Sequence, residues 1–312
     1  MAVEFKDIWD FHTDLRLVMR PGGDRPYLRD QLDVPAAARL GGVFSATERF
    51  ADLPKDVQLE RLEEDVALIR GAEGMHDVLS AGDLKGTGGQ ILHAEGMYFI
   101  EEEADLALLD RLWDLGVRSL APLYNEDNAL GGGARGESAR GLTPLGRDLA
   151  MRSWKMGFLF DCAHANHRTK EGLIDIALVT GHPLHYSHGH LDEPYAAVFG
   201  ERGLPREMAR RLLETGGFIG LCPHPGFLAA FSRHLEEIEF LAEIAPDQVV
   251  LGSDFAGTNV QGPEGIRLFE ECKGIWGVPA FAERLAALHG EDFARAYCGA
   301  SLRGLLERTL PA

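Results

Sequence analysis

The stretch Asp10-Phe11-His12-Thr13-Asp14-Leu15 ends a short run, Val3 to Trp9, and its reading decides the fold. In an extended strand, residues i and i+2 share a face. His12 and Asp14 are therefore expected to project together from a strand's C-terminal end, as two ligands of one metal ion must. The arrangement recurs along the chain. Glu95 closes Gln90-Ile-Leu-His-Ala-Glu95, and His164 closes Phe158-Leu-Phe-Asp-Cys-Ala-His164. His188 closes Pro183-Leu-His-Tyr-Ser-His188, and Asp254 closes Val249-Val-Leu-Gly-Ser-Asp254. Ligand-type side chains at the ends of several separate strands are the layout of a metal-dependent hydrolase on a (β/α)8 TIM barrel.

Composition narrows the class. The chain has 312 residues, 45% of them hydrophobic. One (β/α)8 barrel needs about 250 residues, so a single domain over residues 1–312 is expected, with extra loops. The formal net charge of -18 argues against nucleic acid or an anionic membrane as partner. No apolar run approaches the roughly 20 residues of a spanning helix. Glu4, Asp7, Asp10 and Asp14 lie where a leader would be basic and then apolar, so no signal peptide is expected. Cys162, Cys222, Cys272 and Cys298 show no paired spacing and are read as reduced and structural. Together these features point to a cytoplasmic enzyme, with a homodimer left open.

Strand-like and helix-like segments alternate nearly throughout, the pattern of a parallel sheet wrapped by helices. Strands are expected at 42–47, 90–95, 117–124, 158–164, 183–188, 218–222 and 249–254, besides the first. Helices are expected at about 55–70, 105–115, 143–156 and 169–179, with another opened by Pro205. The cluster Gly131-Gly-Gly-Ala-Arg-Gly136 lacks nucleotide-motif spacing and reads as a mobile loop rather than a phosphate cradle.

The ligand inventory suits two metal ions about 3.5–4 Å apart sharing one carboxylate. His12, Asp14 and Glu95 would serve one ion, and Glu95, His164 and His188 the other. Nitrogen and carboxylate ligands without thiolates suit zinc, with manganese or iron not excluded. Asp254 is then free to act as general base or acid. His167, His182, His185, His190 and His224 fall near the same strand ends and read as supporting or solvated groups.

These motifs, in this order, resemble the membrane (renal) dipeptidase family, peptidase family M19, as a divergent bacterial-type member. The resemblance rests on His12-Thr-Asp14-Leu15, His93-Ala-Glu95-Gly96, Gly141-Leu-Thr-Pro-Leu-Gly-Arg147-Asp-Leu149, Asp161-Cys-Ala-His164, Ser187-His188 and Gly252-Ser-Asp254-Phe-Ala-Gly257. It spans about residues 7 to 257. The resemblance implies a binuclear zinc hydrolase that cleaves the amide bond of a dipeptide or small peptide-like metabolite. Glu95 would bridge the ions, and a D-configured or dehydro residue would be tolerated on the carboxyl side.

The chain also departs from the family pattern. Leu123-Tyr124-Asn125 stands where the family has Thr-His-Asn, so Tyr124 replaces a substrate-contacting histidine, with Asn125 beside it. A phenol donates one hydrogen bond but carries no positive charge. Ala256 replaces the second Asp of Asp-Phe-Asp-Gly. Arg202 is the best match to the arginine that grips the substrate carboxylate. The segment after His188, Gly-His190-Leu-Asp-Glu-Pro, is atypical. Tyr124 and Ala256 motivate an alternative, the same scaffold acting on a specialised metabolite by another reaction. A non-catalytic metal-binding protein is the third reading.

Overall fold

In the computed structural model, residues 2–20, 26–47, 51–137, 139–191, 200–223, 231–256 and 274–312 are described. His224, Gly257, Cys272, Pro21-Gly-Gly and Asp192-Glu-Pro lie outside the described residues. The strands are β1 Trp9–Thr13, β2 Gly42–Ala46, β3 His76–Asp77, β4 Gly89–Glu95, β5 Val117–Ala121, β6 Leu159–Phe160, β7 Ile219–Leu221 and β8 Val249–Leu251. The chain divides into two compact units, one of residues 1–45, 68–91 and 219–312, the other of residues 46–67 and 92–218.

In the first unit β1 pairs parallel with β2, matching Trp9 to Gly42 and Asp10 to Val43. β7 pairs parallel with β8. The end of β8 joins β1 through Asp254 N–H to His12 O (3.0 Å) and Asp14 N–H to Phe255 O (3.1 Å). The local order is therefore β7-β8-β1-β2. Strand alternation puts Trp9 and Phe11 on one face and Asp10 and His12 on the other. Phe11 meets Phe44 edge-on, with ring centroids 4.8 Å apart. Each such buried side chain contributes about 1.5–3 kcal/mol. Trp9 lies against the β2 backbone, where a Cβ at Gly42 would come within 2.4 Å of its ring.

In the second unit the β4 residues Leu92 to Glu95 pair parallel with β5, and β5 pairs parallel with β6. A parallel bridge joins Asp161 to His185, and Tyr186 N–H donates to Phe218 O at 2.9 Å. Helices follow the strands. Thr143 caps Pro144–Met156 through Gly146 N–H, and Asn166 caps His167–Thr180 through Thr169 N–H. Lys55–Arg70 forms as its spacing predicts.

Three expectations shift. β1 begins at Trp9 because residues before it form a turn, Phe5–Asp7, closed by Glu4 N–H to Asp7 Oδ2 at 3.0 Å. The strands expected at 158–164 and 183–188 shrink to β6 and one bridge. Here the Asp161 carboxylate takes the N–H groups of Ala163 and Ser187 that a regular ladder would use. The glycine cluster is packed, not loose. Gly132 N–H donates to Thr169 Oγ1, and a Cβ at Gly133 would stand 2.2 Å from Glu126 O. These glycines permit close backbone approach. Among the described residues no helix is long and apolar enough to cross a membrane.

His234, on the helix Phe231–Ala242, is buried among Phe231, Phe281 and Tyr297. Burial lowers its pKa from an ordinary value near 6.5 to about 3. The unfolded chain takes up this proton as pH falls below 6.5, whereas the folded chain does so only near 3. Stability is therefore present above that window and lost through it, at up to about 1.4 kcal/mol per pH unit. We expect His234→Phe to lose stability less steeply by about that amount. Urea unfolding at pH 7, 5 and 4 measures it, and parallel curves for the two proteins would refute it.

Candidate metal centre

In the second unit, Glu95 is the last residue of β4, and His164 and His188 follow β6 and the His185 bridge. All three are buried. His164 Nε2 lies 3.1 Å from Glu95 Oε1 and 3.2 Å from His188 Nε2, and His188 Nε2 lies 3.9 Å from Glu95 Oε1. The far side of each ring is held. Asn125 Oδ1 contacts His164 Nδ1 at 3.0 Å. An amide oxygen only accepts, so Nδ1 carries the ring proton and Nε2 presents a lone pair. Ser187 Oγ contacts His188 Nδ1 at 2.8 Å and gives its proton to the Asp161 carboxylate. The hydroxyl must then accept from His188 Nδ1–H, which leaves the second Nε2 as a lone pair too. One carboxylate oxygen and two imidazole lone pairs meet in a buried space. That donor set fits a divalent cation.

Further groups surround the triad. The Tyr124 ring lies over His164, centroids 4.2 Å apart and tilted by 30°. Asn125 therefore orients His164. His93 Nδ1 contacts Ser119 Oγ at 2.8 Å, and its Nε2 lies 3.8 Å from Asp161 Oδ2. Burial pushes the Asp161 carboxyl upward, opposed by His93 and by hydrogen bonds from Ser187 and Ala163. Burial takes His185 down to about 3, so its ring is neutral at pH 7. Arg202 Nη1 donates to His188 O at 3.3 Å. The segment carrying Arg202 is gripped by buried Lys170, whose Nζ donates to the carbonyls of Glu201, Arg202 and Gly203 at 2.8, 3.0 and 3.0 Å.

In the first unit, His12 Nε2 lies 3.9 Å from Asp254 Oδ1. Arg16 donates to Asp14 Oδ1, forming a buried charge-assisted pair. Asp10 accepts from Ser253 Oγ, from Ser253 N–H (2.9 Å) and from His12 N–H (3.3 Å). Burial raises the Asp10 pKa to about 7 against those hydrogen bonds. Each unit thus brings part of the expected set together: His12 with Asp254, and Glu95 with His164 and His188. Motif reading gave no role to Asp10, Ser253, Asp161, Ser187, Arg16 or Lys170. For Asp10 a signal existed, since it lies two residues before His12 on the same strand face.

The family described as membrane dipeptidase (peptidase family M19) matches residues 40–273, and the chain belongs to that family. The matched stretch carries Glu95, His164, His188 and Asp254, while His12 and Asp14 precede it. An uncharacterised dipeptidase of Schizosaccharomyces pombe is 25% identical over 289 residues, covering 86% of this chain and 62% of that protein. This chain therefore spans less than two thirds of that relative's length. The crystal structure of dipeptidase AC, a metallopeptidase of family M19, aligns with a TM-score of 0.79 at 24% identity, covering 99% of this chain and 100% of that one. A Rhodobacter sphaeroides metallopeptidase, liganded with a phosphinate mimic of L-Ala-D-Ala, aligns with a TM-score of 0.75 at 24% identity, covering 98% and 100%. Family and structural likeness together make the fold an α/β, TIM-barrel-like one.

Among the described residues, three non-glycine residues have left-handed backbone: His164 (φ 64), Asp254 (φ 57) and Ala256 (φ 64). This region costs an L-residue about 1–2 kcal/mol, less for Asp, whose short polar side chain bonds locally. Ala256 is fully buried and its N–H donates to Gln31 Oε1 at 3.1 Å. We expect Ala256→Gly to stabilise the protein by about 0.5–1 kcal/mol, the strain relieved less the added freedom of the unfolded chain. Denaturant unfolding would show it. A loss of stability would mean that the backbone at this position carries no strain.

Proposed function

We propose that this protein is a metal-dependent hydrolase that cleaves the amide bond of a dipeptide or small peptide-like compound, within one (β/α)8 domain. The observation that carries the reading is the buried convergence of Glu95 Oε1 with the two lone-pair Nε2 atoms of His164 and His188. Following the family's ligand order, His12, Asp14, Glu95, His164 and His188 would hold the metal, two zinc ions in this reading, with Glu95 serving both. Bound ions would supply Lewis acidity and make water nucleophilic at neutral pH.

The chain's own groups do the rest. Asp254 takes the proton from the attacking water and returns it to the leaving amine. Arg202 receives the substrate carboxylate as a bidentate donor. Tyr124 lies beside the scissile carbonyl as a neutral donor. The ligand of the Rhodobacter relative supports an L,D-dipeptide as the first substrate to test. The buried thiols of Cys162, Cys222 and Cys298, none in a disulfide, support a reducing, cytoplasmic setting. One observation favours a second reading: the Tyr124 ring occupies the face of His164, which changes the chemistry beside that ligand and suits a substrate other than a common dipeptide.

Glu95→Ala is expected to lose at least one metal ion and nearly all hydrolysis. Asp254→Asn should keep its metal and lower kcat by a factor on the order of 10²–10⁴. Elemental analysis with steady-state kinetics tests both. Full metal content in Glu95→Ala, or an unchanged kcat in Asp254→Asn, removes the corresponding role.

Tyr124→His should raise kcat/KM on an L,D-dipeptide. An imidazole there can be cationic, and charge-assisted hydrogen bonds are roughly twice as strong as neutral ones. Fast wild-type turnover that the histidine leaves unimproved would show that another group polarises the carbonyl.

A further inference from the structure

One hydrogen-bond pattern occurs twice, once in each unit. In the second unit, Asp161 Oδ1 accepts from the N–H of Ala163, two residues on, and from Ser187 N–H on the neighbouring segment, both at 2.9 Å. Its Oδ2 accepts from Ser187 Oγ. In the first unit, Asp10 Oδ1 accepts from the N–H of His12, two residues on, and from Ser253 N–H on the neighbouring segment. Its Oδ2 accepts from Ser253 Oγ. Both aspartates and both serines are buried.

The residue after the serine corresponds in the two patterns. Each serine is followed by a residue of the proposed site, His188 or Asp254. Each pattern holds a functional pair from neighbouring segments: His164 and His188, with Nε2 atoms 3.2 Å apart, or His12 and Asp254, at 3.9 Å. The left-handed residue differs between the two: it is His164, three residues after the aspartate, in one, and Asp254, directly after the serine, in the other. Such conformations persist only where surrounding structure over-determines them. Three hydrogen bonds to one buried carboxyl group provide that constraint.

We infer that Asp161–Ser187 and Asp10–Ser253 are two copies of one positioning clamp, each fixing the spacing and orientation of two functional residues on neighbouring segments. The inference rests on the metal-hydrolase reading for what those pairs do, but not for their geometry. Asp161–Ser187 does one thing more. Because Ser187 gives its proton to Asp161, it accepts from His188 Nδ1–H and leaves His188 Nε2 as a lone pair. An asparagine at 161 keeps the shape but turns an amide N–H toward Ser187. The hydroxyl then donates to His188 Nδ1, and the ring proton moves to Nε2, where it blocks a ligand.

Asp161→Asn therefore tests the clamp. In the metal-free variant, ring ¹⁵N shifts of His188 should report the Nε2–H tautomer, where wild type reports Nδ1–H. Zinc affinity, read by chelator competition, should fall by about 10–100-fold. Should that variant not fold, Ser187→Ala removes the acceptor itself and is expected to weaken zinc to a similar degree. At the other clamp, Ser253→Ala should lower kcat by about 10–100-fold with KM and metal content unchanged. An unchanged His188 tautomer with wild-type zinc affinity in Asp161→Asn, or in Ser187→Ala, overturns the Asp161 clamp. Unchanged kcat in Ser253→Ala overturns its twin. A wild-type protein that binds no zinc would defeat the functional reading instead, and the tautomer measurement would still decide the clamp.

Discussion

Removing carboxylates from water at the strand ends is the constraint on which this structure depends. Asp10, Asp14, Glu95 and Asp161 are all buried, and an unpaired buried carboxylate is costly. Each is answered differently. Arg16 neutralises Asp14 directly. Asp10 and Asp161 each collect two N–H groups and a hydroxyl, with no cation in hydrogen-bond contact among the described residues, and burial still raises their pKa. Glu95 faces two imidazole nitrogens whose protons sit on the far side of their rings. In the proposed reading a metal ion is the counter-charge for that carboxylate, which would make metal binding and the packing of β4 aspects of one problem.

The same constraint explains what could be read from the chain before folding. Periodicity of apolar residues is local, and the helices Lys55–Arg70 and Pro144–Met156 appear where that pattern and the Thr143 cap put them. Strand ends were less legible. Glu4 and Asp7 close a turn that delays β1, and Asp161 draws off N–H groups that would have extended β6. In both cases a short polar side chain competes with the backbone ladder. That competition depends on neighbours the local pattern does not contain.

The candidate site divides along the same line. His12, Glu95, His164, His188 and Asp254 were legible because each closes a recognisable run in a known order. Their supports were not. Asp10 and Ser253 are 243 residues apart, and no spacing rule connects them. Lys170 reads as one more charged residue on a helix, yet it is fully buried and spends its three protons on three successive carbonyls. Asn125 could be placed beside a substrate from the motif alone, whereas its oxygen is seen to orient His164.

Two of the departures from the family pattern, Tyr124 and Ala256, fall outside this supporting framework. They belong to neither the proposed ligand set nor the inferred clamps. Tyr124 covers the face of His164 with a neutral ring, while the Asn125 bond that sets the tautomer of His164 stays in place. Ala256 keeps the left-handed turn and its N–H bond to Gln31, with no carboxylate to contribute. A change that reached Glu95, Ser187 or Asp161 would disturb ring tautomers or leave a carboxylate unanswered. A change at Tyr124 or Ala256 alters charge beside the ligands and leaves the protons on the rings where they were. Under the proposed function, such a division of labour permits divergence of substrate without loss of the metal chemistry, and these two positions are where it is expected to act.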